Sequence, residues 1–166
     1  LPRGVGQTAT RRNSGSRLLG QMIIATLPLV IVGAIVYRYA GDTLRNPVIV
    51  GWATLGFGGL LFFADRYTVT IKRLDHMTWG QALLIGCAQI FALIPGASRA
   101  GTTITMARWL GFDRLDAARF SMLLSIPAII AAGAAATIDL LESGSGEVIF
   151  EAAAAGVMAF LAAFAA

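Results

Sequence analysis

The chain has 166 residues, of which 57% are hydrophobic and only 13% are charged. Soluble domains carry roughly 25% charged residues, so this composition excludes an ordinary water-soluble domain and favours a protein embedded in lipid. The formal net charge of +4 does not indicate nucleic-acid binding, because the Lys and Arg residues lie between apolar stretches rather than along one face.

Uncharged stretches of membrane-spanning length recur along the chain. They lie at 18–37, 46–64, 77–98 and 120–138, and each is close to the ~20 residues that a helix needs to cross a bilayer. A further stretch begins at Ala152 and runs to Ala166. The pattern predicts an all-α integral membrane protein with a polar basic loop at 1–17 and a membrane domain at 18–166. The predicted transmembrane helices cover about 18–39, 47–64, 120–138 and 148–166.

The first residue is Leu1 rather than Met, and the last residues belong to an apolar run. We therefore expect an internal or C-terminal fragment of a longer membrane protein.

The stretch at about 79–110 is predicted to be a re-entrant helix-loop-helix hairpin. Its apolar part is interrupted by Pro95-Gly96 and the polar residues that follow. At 1.5 Å per residue, the piece 79–94 reaches only about 24 Å and the piece 103–110 only about 12 Å. Neither piece comfortably crosses a hydrocarbon core of ~30 Å, so a hairpin that enters and leaves on one side is favoured.

The distribution of basic residues supports the same topology. With a hairpin, the loops at 1–17, 65–78 and 111–119 share one side and hold nine Lys and Arg residues, against two on the other side. If 79–110 crossed the membrane, the count would be seven against four. The positive-inside rule therefore favours the hairpin and assigns the nine-base side to the cytoplasm.

The hairpin tip has the composition of an anion-binding site. Irregular backbone at membrane depth is tolerated only where protein buries it or where it lines a wet cavity. Here the glycines let an anion approach the backbone closely, and the hydroxyl groups can donate hydrogen bonds to it. A guanidinium suits phosphate oxygens. A helix expected to begin near Thr102 would direct its free N–H groups towards the same anion. The candidate binding residues are Gly96, Ala97, Ser98, Arg99, Gly101, Thr102 and Thr103.

A kink with a helix cap is the alternative explanation for any single one of these residues. An Arg at membrane depth costs ~2.5–3.5 kcal/mol on insertion scales and is functional by default, which favours anion binding for the group. Two neighbouring residues are given simpler interpretations. The Gln89 side chain either faces the site or forms a hydrogen bond with a neighbouring helix. The Arg108 side chain is expected to extend to the membrane interface.

The motif Pro95-Gly96-Ala97-Ser98-Arg99-Ala100-Gly101-Thr102-Thr103 resembles the second signature of the bacterial undecaprenyl-diphosphate phosphatase family, also called the bacitracin-resistance family. The likeness extends through Gly111-Phe112-Asp113-Arg114 and Ser125-Ile126-Pro127. It implies one half of an inverted-repeat enzyme of the bacterial inner membrane, which converts undecaprenyl diphosphate to undecaprenyl phosphate for peptidoglycan synthesis and confers bacitracin resistance. It also implies catalytic roles for Arg99, Ser98 and Thr103 at the diphosphate.

The resemblance further implies a divalent cation, Mg²⁺ or Ca²⁺, whose ligands we expect outside this chain. The family's first signature, with a pair of glutamates and a histidine, is absent from the sequence. The single histidine, His76, lies in a charged loop and is interpreted as solvated. The fragment alone is therefore predicted to be inactive.

A transporter or flippase for a phosphorylated lipid or solute is the main alternative, because carriers also use broken helices and an Arg at membrane depth. A purely structural membrane subunit would leave Arg99 and the hydroxyl cluster unexplained. The expected partners are the lipid bilayer and a polyprenyl diphosphate, without nucleic acid; a homodimer is left open.

Overall fold

The computed structural model describes residues 5–39, 46–70, 72–143 and 146–165, and its regular elements are helices. The α-helices are α1 (Val5–Tyr39), α2 (Pro47–Tyr67), α3 (Trp79–Gln89), α4 (Arg99–Trp109), α5 (Arg114–Ser143) and α6 (Gly146–Ala165). Short 3₁₀ turns cover Leu74–His76 and Ile90–Leu93. The prediction of an all-α membrane protein is confirmed.

Four of these helices are long and apolar enough to cross a membrane. The apolar segments are Gly15–Val36 in α1, Pro47–Tyr67 in α2, Arg114–Glu142 in α5 and Val148–Ala165 in α6. They coincide with the four predicted spans to within a few residues at most ends, and α5 begins six residues before the predicted position. The chain is a multi-pass membrane protein.

The N-terminal part of α1 corrects one prediction. A polar loop was expected at 1–17, but α1 is helical from Val5 onward. Extension of an existing helix adds one hydrogen bond for each residue fixed, without the cost of starting a new helix, so the helix of the apolar segment continues into this stretch. The polar residues before Leu18 therefore show where the apolar segment begins, but the helix itself begins earlier in the chain.

Local sequence accounts for several helix starts. Asn46 accepts a hydrogen bond from the Val48 N–H, and Pro47 occupies the first turn of α2, where its missing N–H costs nothing. Thr78 and Gln81 form a reciprocal capping box at the start of α3. These caps satisfy N–H groups that would otherwise lack acceptors at the helix ends.

Helices α1 and α3 run parallel and pack closely. Gly20 lies against the Trp79 ring, and further along α1 Gly33 lies against Leu93 of the 3₁₀ turn that follows α3. Between them, a Cβ atom on Gly86 would collide with the backbone carbonyl of Ala25. A glycine at position 86 is therefore required for this approach of the two backbones.

The segment from α3 to α4 folds back on itself. The two helices pack against each other, and the loops at their outer ends are joined by hydrogen bonds from the Lys72 N–H to the Gly111 carbonyl (2.9 Å) and from the Asp113 N–H to the Lys72 carbonyl (3.0 Å). The two ends of the segment therefore lie next to each other. That it enters and leaves the membrane on one side stays a prediction.

The apolar core of residues 1–128 lies where α1, α3, α4 and the first part of α5 meet. Its buried members include Met22, Met77, Ile85, Phe112, Phe120 and Leu124. Residues 129–166 form a second compact unit. In that unit, Phe150, Phe160 and Phe164 are exposed, as expected for side chains that face lipid.

Cysteine labelling tests the hairpin topology. In otherwise cysteine-free variants of the complete protein, in which Cys87 is also replaced by Ser, single cysteines at Thr70 and Leu115 should react with a membrane-impermeant reagent from the same side. The two positions line one cavity at the joined ends of the hairpin, which is why we expect equal access. Labelling from opposite sides would show that 79–110 crosses the membrane.

Candidate anion-binding site at the hairpin tip

The loop between α3 and α4 is docked against α2. Gly96 has φ +94°, and a Cβ atom there would collide with the Val50 carbonyl of α2. The Thr54 hydroxyl donates a hydrogen bond to the Gly96 carbonyl at 3.1 Å. Glycine is therefore needed at position 96 both for its backbone conformation and for this close approach.

The contacts to α2 give the depth of the loop along that helix. Val50 and Thr54 lie three and seven residues from the first residue of α2, Pro47. At 1.5 Å per residue these positions are about 5 and 10 Å from that end of a helix about 30 Å long. The hairpin tip thus lies beyond the middle of α2, on the side away from the joined hairpin ends.

The N-terminus of α4 is open at the tip. The Ser98 hydroxyl accepts a hydrogen bond from the Gly101 N–H at 3.2 Å and caps the helix. The first N–H groups of α4, those of Arg99 and Ala100, have no acceptor within the helix. Ser98 and Ala100 are exposed, and Arg99 is partly exposed. An anion at this end would meet free N–H groups and the positive end of the helix dipole.

Arg99 is anchored at one nitrogen and free at the others. Its Nη1 donates to the Ser125 carbonyl of α5 at 3.3 Å. Nε and Nη2 form no hydrogen bond within the described part of the chain, although both are donors with a fixed geometry. A guanidinium held in this way can bind two oxygens of one phosphate group.

The two threonines have internal partners. The Thr102 hydroxyl donates to the Arg99 carbonyl at 2.9 Å, and the buried Thr103 hydroxyl lies 2.6 Å from that of Ser121. Ala97 is also buried. In this arrangement the open side of the tip is formed by Ser98, Arg99 and Ala100. The contact of Thr103 with a phosphate oxygen stays a prediction.

The start of α4 differs from the expectation. The helix begins at Arg99, three residues before the predicted position at Thr102. The reason is that Ser98 caps the helix, so the residues Arg99, Ala100 and Gly101 form its first turn. Arg99 therefore belongs to the first turn of the helix, and its side chain and the free N–H groups lie at the same end of α4.

Ser121 and Ser125 were not assigned a role from the sequence. Both lie on α5, four residues apart and on one helix face. The Ser121 hydroxyl contacts the Thr103 hydroxyl, whereas Ser125 accepts from Arg99 through its backbone carbonyl and its own hydroxyl donates to the Met122 carbonyl. A serine within an apolar span indicates a polar contact to a neighbouring helix, which is what Ser121 makes. The Ser125 contact involves the backbone carbonyl, so no side-chain pattern could have predicted it.

Gln89 is fully buried in the last turn of α3, and neither atom of its amide group has a hydrogen-bond partner in the described residues. Within the described residues, Gln89 therefore neither faces the open tip nor forms a hydrogen bond with another helix. An unpaired buried amide costs about 1–3 kcal/mol.

Replacement of Gln89 by Met should raise the melting temperature of the complete protein in detergent, because it removes two polar atoms without hydrogen-bond partners from the protein interior. Gln81→Met is the matched control, since the Gln81 side chain accepts a hydrogen bond from the Thr78 N–H and its loss should lower the melting temperature. Destabilisation by Gln89→Met would mean that the amide has a partner in the complete protein.

Arg108 corrects a second prediction. It was expected to extend to the membrane interface, but its side chain is only 3% exposed. It donates to the Phe112 carbonyl at 2.7 Å and to the Thr70 hydroxyl at 2.9 Å, and its Nε lies 3.2 Å from a carboxylate oxygen of Asp65. Internal acceptors at the end of the hairpin hold it, because Asp65 and the loop after α4 lie within reach.

A divalent cation in a protein is usually held by several carboxylate, imidazole or thiolate side chains that lie close together. In the ranges that the structure describes, no three His, Cys, Asp or Glu side chains lie close enough together to hold a metal ion. His76 is exposed in a 3₁₀ turn. The described residues therefore do not form a cation site.

Four helices long and apolar enough to cross a membrane, together with a segment that folds back on itself and carries an arginine at its tip, define a multi-pass membrane protein. The family described as "Bacitracin resistance protein BacA" matches residues 3–166. The chain belongs to this family, as the motif at the tip indicated.

Curated relatives support the same assignment. The chain is 46% identical to "Undecaprenyl-diphosphatase 1" of Rhodospirillum rubrum over 156 residues, which are 93% of this chain and 55% of the relative. It is 42% identical to "Undecaprenyl-diphosphatase 2" of Stutzerimonas stutzeri, with 93% and 57% covered. A third relative, "Undecaprenyl-diphosphatase" of Nitrosococcus oceani, is 45% identical, with 81% and 51% covered. The chain spans about half the length of these relatives.

Proposed function

We propose that this chain forms part of an enzyme of the bacterial inner membrane that hydrolyses undecaprenyl diphosphate to undecaprenyl phosphate and inorganic phosphate. The observation that carries the proposal is Arg99, which lies partly exposed at the open end of α4 in a chain of the bacitracin-resistance family. The product would re-enter peptidoglycan synthesis as the lipid carrier, and removal of the diphosphate would confer bacitracin resistance.

The proposed chemistry is addition of water to the terminal phosphorus with cleavage of the P–O–P bond. Arg99 binds oxygens of the diphosphate through the nitrogens that Ser125 leaves free. The N–H groups of the first turn of α4 stabilise the negative charge that develops on the transferred phosphate. Ser98 keeps these groups in place as the helix cap. The group that moves the proton lies outside the described residues in this proposal.

The depth of the hairpin tip supports a site that opens to the outer face. The tip contacts α2 near Val50 and Thr54, towards the end of α2 that the charge distribution assigns to the outer side. An undecaprenyl diphosphate in the outer leaflet would place its diphosphate near this end of the membrane.

Phosphate release by the purified complete protein from undecaprenyl diphosphate in detergent tests the proposal. We expect release that Arg99→Gln abolishes and Arg119→Gln preserves, because Arg119 is an exposed arginine at the other end of the hairpin. The transporter alternative is tested with a labelled lipid diphosphate in vesicles. Movement of that lipid between leaflets without phosphate release would contradict the proposed hydrolysis.

A further inference from the structure

A groove of about 400 Å³ lies between α2 and α4, at the end of α2 that carries Asp65. Its walls are formed mainly by Leu61 and Phe62 of α2 and by Ile104 of α4, and Gly58 leaves room between them. The α2 residues recur at three- and four-residue spacing and therefore share one helix face. The groove is apolar along most of its length.

Charged side chains close the groove at one end. The Nε atoms of Arg108 and Arg114 lie 3.2 and 2.7 Å from the same carboxylate oxygen of Asp65. Arg108 is 3% exposed, and its Nε lacks the alignment of a hydrogen bond despite the short distance. Two guanidinium groups face a single carboxylate, so this end of the groove keeps a net positive charge.

The Arg114 guanidinium has unused hydrogen-bond donors at this end of the groove. It is 71% exposed and contacts Asp65 through Nε. Its two terminal nitrogens make no hydrogen bond within the described ranges of the chain. The planar pair of terminal nitrogens matches two oxygens of a phosphate group. The buried Arg108 meanwhile neutralises the Asp65 carboxylate, which would otherwise repel an anion.

We propose that this groove binds an anionic membrane phospholipid, with the lipid phosphate on Arg114 and one acyl chain along Leu61, Phe62 and Ile104. An apolar groove that ends in a positive charge fits a molecule with an acyl chain and a phosphate. Free phosphate would gain nothing from the apolar walls. Basic pockets between membrane helices on the cytoplasmic side are typical sites for anionic headgroups.

The groove is separate from the hairpin tip. Asp65 lies eleven residues further along α2 than Thr54, which contacts the tip, and this separation corresponds to about 16 Å. The charge distribution assigns the Asp65 end to the cytoplasmic surface. The lipid would therefore occupy the inner leaflet and hold α2 against α4, without taking part in binding at Arg99.

The test uses the purified complete protein in a neutral detergent. Retention of added lipid is measured by native mass spectrometry, and the melting temperature is followed with phosphatidylglycerol, phosphatidylcholine or glycerol phosphate. We expect phosphatidylglycerol to be retained and to raise the melting temperature, and the other two compounds to have little effect. Arg114→Gln should weaken phosphatidylglycerol binding about tenfold, as expected for loss of a charge-assisted contact to phosphate.

Two further variants make the result decisive. Leu61→Trp fills the groove without changing its charge and should abolish retention of phosphatidylglycerol. Arg119→Gln removes the same charge at the same end of the hairpin but outside the groove, and it should bind the lipid like the unaltered protein. Unchanged lipid binding by Arg114→Gln and Leu61→Trp, or equal stabilisation by glycerol phosphate, would overturn the proposal.

Discussion

Arg99→Lys in the complete protein is expected to lower turnover of undecaprenyl diphosphate about a hundredfold, although the positive charge is kept. A lysine ammonium is a point charge and cannot hold the Ser125 carbonyl while it binds two phosphate oxygens. The loss should appear in kcat as well as in KM. The same guanidinium nitrogens would contact the bound diphosphate and stabilise the negative charge that develops in the transition state. Steady-state phosphate release measures both constants.

Arg119→Lys is the matched control for this variant. Arg119 is exposed and lies 3.8 Å from Asp116 on α5, so the same exchange should leave both constants nearly unchanged. A pronounced loss in the control would point to a general effect on folding. Nearly unaltered kinetics of Arg99→Lys would show that Arg99 does not bind phosphate through two nitrogens.

The second large effect is expected for the chain by itself. Purified in detergent with Mg²⁺ or Ca²⁺, it should release no phosphate from undecaprenyl diphosphate. The described residues bring together no three metal-binding side chains, and the tip supplies only groups that bind and neutralise the phosphate. Hydrolysis also requires a group that accepts or donates a proton.

Co-expression with the remaining part of the complete protein should restore turnover if the two parts associate. Co-expression of that part with the Arg99→Gln form of this chain is the control, and it should remain inactive because the guanidinium proposed to bind the phosphate is missing. Metal-dependent phosphate release by this chain alone would contradict the assignment of roles, since all catalytic groups would then lie within it.

The motif at the tip was predictable because its chemistry is local. A glycine with positive φ, a serine that caps a helix and an arginine beside it are consecutive residues, and their conformations depend mainly on one another. The start of α4 was misplaced by three residues because the helix was expected to begin near Thr102, although a helix cap was the alternative considered for these residues. The Ser98 side chain caps the helix, which moves the first turn to Arg99.

Long-range partners could not be predicted from the same pattern. Arg108 has the position of an interfacial residue, yet it is buried because Asp65, 43 residues away, lies within reach of it. Gln89 is enclosed by neighbouring helices without a hydrogen-bond partner among the described residues. Neither environment is encoded by nearby residues, since each depends on which helices pack together.

The sequence by itself determined the membrane class, the four apolar helices and the family, since hydropathy and a contiguous motif are properties of the chain. The tertiary structure decided which side chains face the open tip. It turned Thr103 towards Ser121, anchored Arg99 on Ser125 and set the Gly96 loop against Val50 of α2. These contacts join separate helices, and their geometry follows from how closely glycines such as Gly86 let the backbones approach.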